Sequence, residues 1–197
     1  KLSFYYPFVE LITGLLFAFT IYYLPYTNLS TNYLVSIIYY LTIVSSMIVV
    51  FFADLKYSII PDKILFPGVI VSLVYLTISI FYPLSSNVLP SILNHLSSGV
   101  GGFGFMLFLF LITKGRGMGL GDVKLSFLMG LVLGYPGIFY SIYLAFLTGG
   151  IFAIILVLWK KRKLKSQIPF GPFLVGNFLL VLYFQPQISS FAQSLIS

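Results

Sequence analysis

Apolar stretches of near-membrane length follow one another through almost the whole of this 197-residue chain, and the basic residues all fall into alternate gaps between them. A helix needs ~20 apolar residues to cross ~30 Å of hydrocarbon. Seven stretches meet or approach that length, at about residues 8 to 24, 33 to 53, 64 to 82, 93 to 113, 119 to 134, 137 to 159 and 171 to 190. Because lipid offers the backbone no hydrogen-bond partners, such stretches are stable as helices or as closed barrels, and runs this long are helical. The pattern predicts an all-α, polytopic integral membrane protein with about seven spans. Only 8% of the residues are charged, against roughly a quarter in soluble chains. The fifth stretch is short: from Asp122 to Leu133 a helix rises only ~18 Å. It therefore begins before Asp122 or sits in a thin or protein-lined place, and either way Asp122 lies at or inside the membrane edge.

The net charge of +7 invites a nucleic-acid reading, but the positions of the charges argue against it. Lys1, Lys56, Lys63, Lys114, Arg116, Lys124 and the run Lys160 to Lys165 all fall on one side of the expected spans, and the gaps at 25–32, 83–91 and 135–136 and the tail after Gln185 carry none. The positive-inside rule then puts the amino terminus and both Asp54 and Asp122 toward the cytoplasm. The run Lys160 to Lys165 reads as a stop-transfer segment and a contact for anionic lipid in the bilayer. No inverted repeat of the transporter kind is visible. The chain starts at Lys1 and runs almost at once into an apolar stretch, as a truncated or processed product would, and Glu10 argues against a signal peptide.

The inventory of reactive side chains is small. There is no cysteine and one histidine, His95, so thiolate and His-Glu-x-x-His zinc sites are excluded and no metal is expected. No Gly-x-Ser-x-Gly elbow or P-loop is present. Four acids remain: Glu10, Asp54, Asp62 and Asp122. A charge near the hydrocarbon core costs at least ~2.5 kcal/mol, so an acid there is a functional candidate by default. Two carboxylates held close do not both ionise cheaply; one keeps a proton while the other acts as a base. Around a peptide carbonyl with a water between them, such a pair supplies the base for water and the acid for the carbonyl oxygen. Gly117, Gly119 and Gly121 before Asp122 offer bare backbone for unusual dihedrals and the close approach of an extended substrate. The competing reading is structural, with Asp54 and Asp122 capping helix amino termini or pairing with Lys56 or Lys124. A third reading is a proton-coupled transporter that uses the two acids as proton carriers. Spacing alone does not bring the pair together.

Three ordered motifs carry a resemblance. Asp54-Leu-Lys-Tyr-Ser-Ile-Ile-Pro61-Asp62, Gly119-Leu-Gly121-Asp122-Val-Lys124-Leu and Pro169-Phe-Gly171-Pro172-Phe-Leu174 together resemble the signature of the type IV prepilin leader peptidases, intramembrane proteases of the Gly-x-Gly-Asp type. The resemblance implies that Asp54 and Asp122 are the catalytic dyad. It also implies that the reaction needs no cofactor, and that the substrates are type IV prepilins or type II secretion pseudopilins. These would be cut after a leader glycine at the cytoplasmic face of a bacterial inner membrane. Gly119, Gly121, Lys124, Pro61, Asp62, Pro169, Gly171 and Pro172 are expected in support. Lys124 would hold a carboxylate, orient substrate or snorkel to the interface, Asp62 would cap the third helix after Pro61, and the Pro-Phe-Gly-Pro segment would shape the start of the last span. The segment Ser3 to Glu10 with Gly14 resembles the part of bifunctional members that follows a cysteine zinc loop, absent here. Glu10 is then either an interfacial carboxylate or a methyl-transfer or substrate residue, and S-adenosylmethionine is a cofactor only if methylation of the new amino terminus is retained. On this reading residues 1–53 are a remnant of the methyltransferase-associated region and 54–197 the protease core of one compact membrane domain. The signal-peptide-peptidase and presenilin-like proteases share Gly-x-Gly-Asp, but their Tyr-Asp and Pro-Ala-Leu motifs do not occur. Oligomeric state is not legible.

Overall fold

The computed structural model describes residues 5–23, 33–81, 88–115, 117–159 and 169–194. Lys1, Arg116 and the run Lys160 to Lys165 lie outside them. Among the described residues there are six helices and no strand: α1 (Tyr5–Tyr23), α2 (Tyr33–Tyr57), α3 (Asp62–Phe81), α4 (Val88–Ile112), α5 (Leu120–Leu158) and α6 (Gly171–Ser194). Helices α2, α3, α4 and α5 each contain a segment long and apolar enough to cross a membrane, and α1 contributes the shorter apolar helix Pro7–Tyr23. The protein is an all-helical polytopic membrane protein.

The fifth and sixth expected spans correspond to the two helical limbs of α5, which are separated by a non-helical break at Gly134 (φ 64°, ψ −175°) and Tyr135 (φ −89°, ψ 138°). As a straight rod of 39 residues α5 would run ~58 Å, about twice the hydrocarbon thickness. Instead it turns back on itself. The first limb runs antiparallel to α4, since Asn94 meets Tyr135, Ser98 meets Gly130 and Gly102 meets Ser126. The second limb runs antiparallel to α6, since Gly137 meets Gln185 and Thr148 meets Asn177. Both outer ends of α5 therefore lie at the end of the bundle where α4 finishes and α6 begins.

Packing rather than water-driven burial holds such helices together, because lipid is as apolar as the side chains. Small residues let α4 and the first limb of α5 approach backbone to backbone. A Cβ on Gly130 would strike the Ser98 carbonyl oxygen and the Gly99 backbone, and one on Gly102 would lie 3.1 Å from the Ser126 carbonyl oxygen. Behind this seam Ile43, Met47, Val50, Met106, Leu125, Leu128, Met129, Leu174 and Phe178 form a fully buried centre drawn from four helices. Leu93, Phe108, Ile112 and Phe139 point outward, as lipid-facing side chains do.

Polar side chains satisfy one another inside this apolar body. Asn177 Nδ2 donates to Thr148 Oγ1 at 2.9 Å and to the Phe173 carbonyl, and Thr20 Oγ1 pairs with the Tyr183 hydroxyl at 2.7 Å, tying α1 to α6. At the break in α5, Asn94 accepts from Tyr135 N–H at 3.0 Å and donates to the Tyr135 carbonyl at 3.1 Å. His95 Nδ1 lies 3.0 Å from the Leu131 carbonyl oxygen. His95 thus sits at this break, at the other end of the α5 first limb from Asp122.

Candidate active site

Two helix endings set the scene. Helix α2 stops with Ser58 in the left-handed region (φ 53°), its N–H donating to the Asp54 carbonyl at 2.8 Å, so the chain turns sharply one turn after Asp54. Helix α4 stops in the same manner with Lys114 and Gly115 at positive φ, and Gly115 N–H reaches the Phe110 carbonyl at 3.0 Å. The unusual dihedrals expected at Gly117, Gly119 and Gly121 thus fall elsewhere. Gly115 and Gly134 are the described glycines with positive φ. Gly121 is small for a different reason, because a Cβ there would lie 2.8 Å from Ile60 Cβ.

Asp122 sits in the first turn of α5 and is 6% exposed. Its N–H donates to the Gly119 carbonyl at 3.2 Å, and its Oδ2 accepts from Gly119 N–H at 3.0 Å. That is the carboxylate half of a capping box, with Gly119 in the cap position. Asp54, near the end of α2, is 5% exposed, and its Oδ2 accepts from Gly171 N–H at 2.9 Å. Gly171 opens α6, whose first backbone N–H groups have no partner in their own helix and whose dipole favours a carboxylate. The approach is so close that a Cβ on Gly171 would lie 2.6 Å from Asp54 Oδ2. The two carboxyl groups lie at the same end of the bundle, although 68 positions separate Asp54 from Asp122 in the chain. Each uses one oxygen on a backbone N–H, and among the described residues neither has a lysine partner.

The remaining motif residues gather around this pair. Asp62 opens α3, and both of its carboxylate oxygens accept from Lys124 Nζ, at 2.8 and 2.7 Å. The Pro61 carbonyl accepts the N–H groups of Ile64 and Leu65, so Pro61 takes the backbone cap and the Asp62 side chain faces Lys124. Phe170 does the same for Phe173 and Leu174, leaving Pro169 ahead of α6 and Pro172 inside its first turn. The three motifs thus meet: Gly171 on Asp54, Gly121 on Ile60, and Lys124 on Asp62. Glu10 is not brought to this cluster. It lies exposed on α1, and no hydrogen bond or ion pair among the described residues joins it to Asp54 or Asp122. No group of histidine, cysteine and acid side chains among the described residues is placed to hold a metal.

Sequence reasoning missed the Asn94 and His95 contacts with the break in α5. The Gly134-Tyr135-Pro136 triplet marks a break, but nothing local names partners about forty residues upstream.

The fold and the gathered motifs define a class: an all-helical, multi-span membrane protein with two buried aspartates at one end of the bundle. The chain belongs to the type IV leader peptidase family, whose sequence pattern matches residues 41–154, more than half of its length. It is a type IV leader peptidase-like membrane protease. The matched stretch contains Asp54, Asp62, Asp122 and Lys124 and ends before the Pro169 to Leu174 motif. Neither curated proteins nor solved structures gave a match.

Proposed function

We propose that the protein removes the short basic leader of type IV prepilins or type II secretion pseudopilins by aspartic hydrolysis, with Asp54 and Asp122 as the catalytic pair. The observation that carries the reading is the placement of two buried carboxyl groups at one end of the bundle, each steadied by a backbone N–H and, among the described residues, without a lysine partner. In the reaction, the ionised aspartate accepts a proton from water as the oxygen attacks the scissile carbonyl carbon. The protonated partner gives its proton to the carbonyl oxygen. The tetrahedral intermediate collapses with cleavage of the C–N bond, and the leaving nitrogen receives a proton from the pair. Water is the only co-reactant this chemistry needs.

Gly117 and Gly119 are exposed beside the buried Asp122 and present backbone to an extended peptide. Lys56, Lys63, Lys114 and Lys124 cluster at the same end, since α2 runs into α3 there, α4 runs into α5, and Lys124 binds Asp62. The positive-inside rule makes that end cytoplasmic, in a bacterial inner membrane, where a positively charged leader is retained.

Purified protein and its Asp54→Asn and Asp122→Asn variants, given an intact prepilin in detergent or lipid, test the proposal. A clean cut after the leader glycine by the unmodified chain, lost in both variants, is the expected result. Normal cleavage by either variant removes the paired-aspartate mechanism.

A further inference from the structure

The segment that joins α2, which carries Asp54, to α3 is only four residues long and has no helix or strand of its own. Ser58 to Pro61 leave α2 four residues after Asp54 and enter α3 at Asp62. Two contacts fix this strap to the first turn of α5. Ile60 packs on Gly121 at a separation that leaves no room for a Cβ, and Asp62 grips Lys124 through both carboxylate oxygens. Lys124 in turn lies two positions beyond Asp122, in the same turn of helix. The strap therefore has Asp54 at one end and the neighbour of Asp122 at the other.

Exposure of the ion pair argues against a purely structural purpose. Lys124 is 41% and Asp62 49% exposed, and ion pairs open to solvent contribute little to stability. The Lys124 ammonium also lies over the Phe66 ring on α3, with Nζ 6.0 Å from its centroid, so the charge is held over α3 from two sides. Among the described residues this is the one ion pair. A surface pair that spans two parts of a buried acid pair has its effect on geometry, and displacement of a reacting group by about 1 Å costs on the order of 10²-fold in rate.

We propose that Asp62 and Lys124 form a positioning latch, which holds the Ser58–Pro61 strap on α5 and so fixes the relation between Asp54 and Asp122 during turnover. The latch rests on the peptidase reading for its kinetic consequence but not for its geometry. The chain contains no cysteine, so an Ile59→Cys substitution, at a strap position that is 63% exposed, takes a single nitroxide probe.

The experiment combines that probe with a double-mutant cycle of Asp62→Ala, Lys124→Ala and both together, assayed on prepilin in lipid. The latch predicts a more mobile nitroxide line shape in each single variant. It also predicts kcat lower by about 10-fold or more with KM within about twofold, and a double variant no slower than the slower single one, because both substitutions undo one contact. Lys124→Arg, which keeps the charge, restores the line shape and most of kcat. An unchanged line shape, an unchanged kcat, or losses that multiply in the double variant overturn the proposal. Failure of the unmodified chain to cut counts against the peptidase reading instead, while the nitroxide still reports on the latch.

Discussion

The two ends of α5's first limb interrupt or begin a helix in chemically different ways. At the break, Asn94 satisfies both the N–H and the carbonyl of Tyr135 with a neutral amide, helped by His95 on the Leu131 carbonyl. At the start, Asp122 satisfies the Gly119 N–H, and beside it Asp54 satisfies the Gly171 N–H. Capping alone asks only for a side-chain oxygen, and asparagine or serine serves as well as aspartate. A neutral group also avoids the cost of a charge near hydrocarbon. That this chain uses an amide at one end and two carboxyl groups at the other favours a task for the acids beyond capping.

Exchange of the acids for amides breaks the comparison most severely. Asp54→Asn and Asp122→Asn each keep an oxygen for the backbone N–H, so thermal unfolding in detergent should shift by no more than about 1 kcal/mol. Prepilin cleavage should fall by about 10³-fold or more, since proton transfer is lost. A large loss of stability with cleavage retained would return both residues to the capping role. Next in size is Gly171→Ala, which drives a methyl group against Asp54 Oδ2. Cleavage rates should drop by roughly 10 to 100-fold, with kcat affected more than KM in steady-state assays.

At the other end the expectation inverts. Asn94→Leu removes both bonds to Tyr135 and should cost about 2 kcal/mol of stability, about 1 kcal/mol for each hydrogen bond lost. Cleavage measured below the melting transition should be unaltered. Were cleavage to fall as far as in Gly171→Ala, the two ends would be coupled and the comparison would lose its force. Smallest is Glu10→Gln: the side chain is exposed on α1 and apart from the cluster, so stability should stay within about 0.5 kcal/mol and cleavage rates within twofold of about unity. A methylation assay with S-adenosylmethionine on the same variant reads the other role considered for Glu10.

Much of this architecture was legible before any coordinates. The apolar runs announce helices because lipid permits little else, and the short fifth stretch pointed to Asp122 at or inside the membrane edge. The reversal at Gly134 was legible as the short gap between the fifth and sixth expected spans; that Asn94 on α4 satisfies its exposed backbone was not. The site was less readable. Asp54 and Gly171 are separated by more than a hundred residues, and no periodicity pairs a carboxylate with a backbone N–H that far along the chain. The resemblance named both, whereas the residues alone left the capping reading open. Gly121 was read as a source of backbone freedom, and its smallness instead admits Ile60, a close approach that only tertiary packing reveals. Lys124 and Asp62 were separately marked, and their pairing across α3 and α5 depends on how the strap folds.

The bond between Asp54 and Gly171 also has a genetic meaning. A defect in a contact between two side chains invites repair by a compensating change in the partner. Here the partner is a peptide N–H, which every residue except proline supplies, so position 171 is constrained by volume and not by chemical type. Alleles that enlarge residue 171 should therefore yield no intragenic suppressors at position 54, because a shorter acid does not exist among the coded amino acids. Any revertants would arise by restoring glycine or by shifting the whole start of α6.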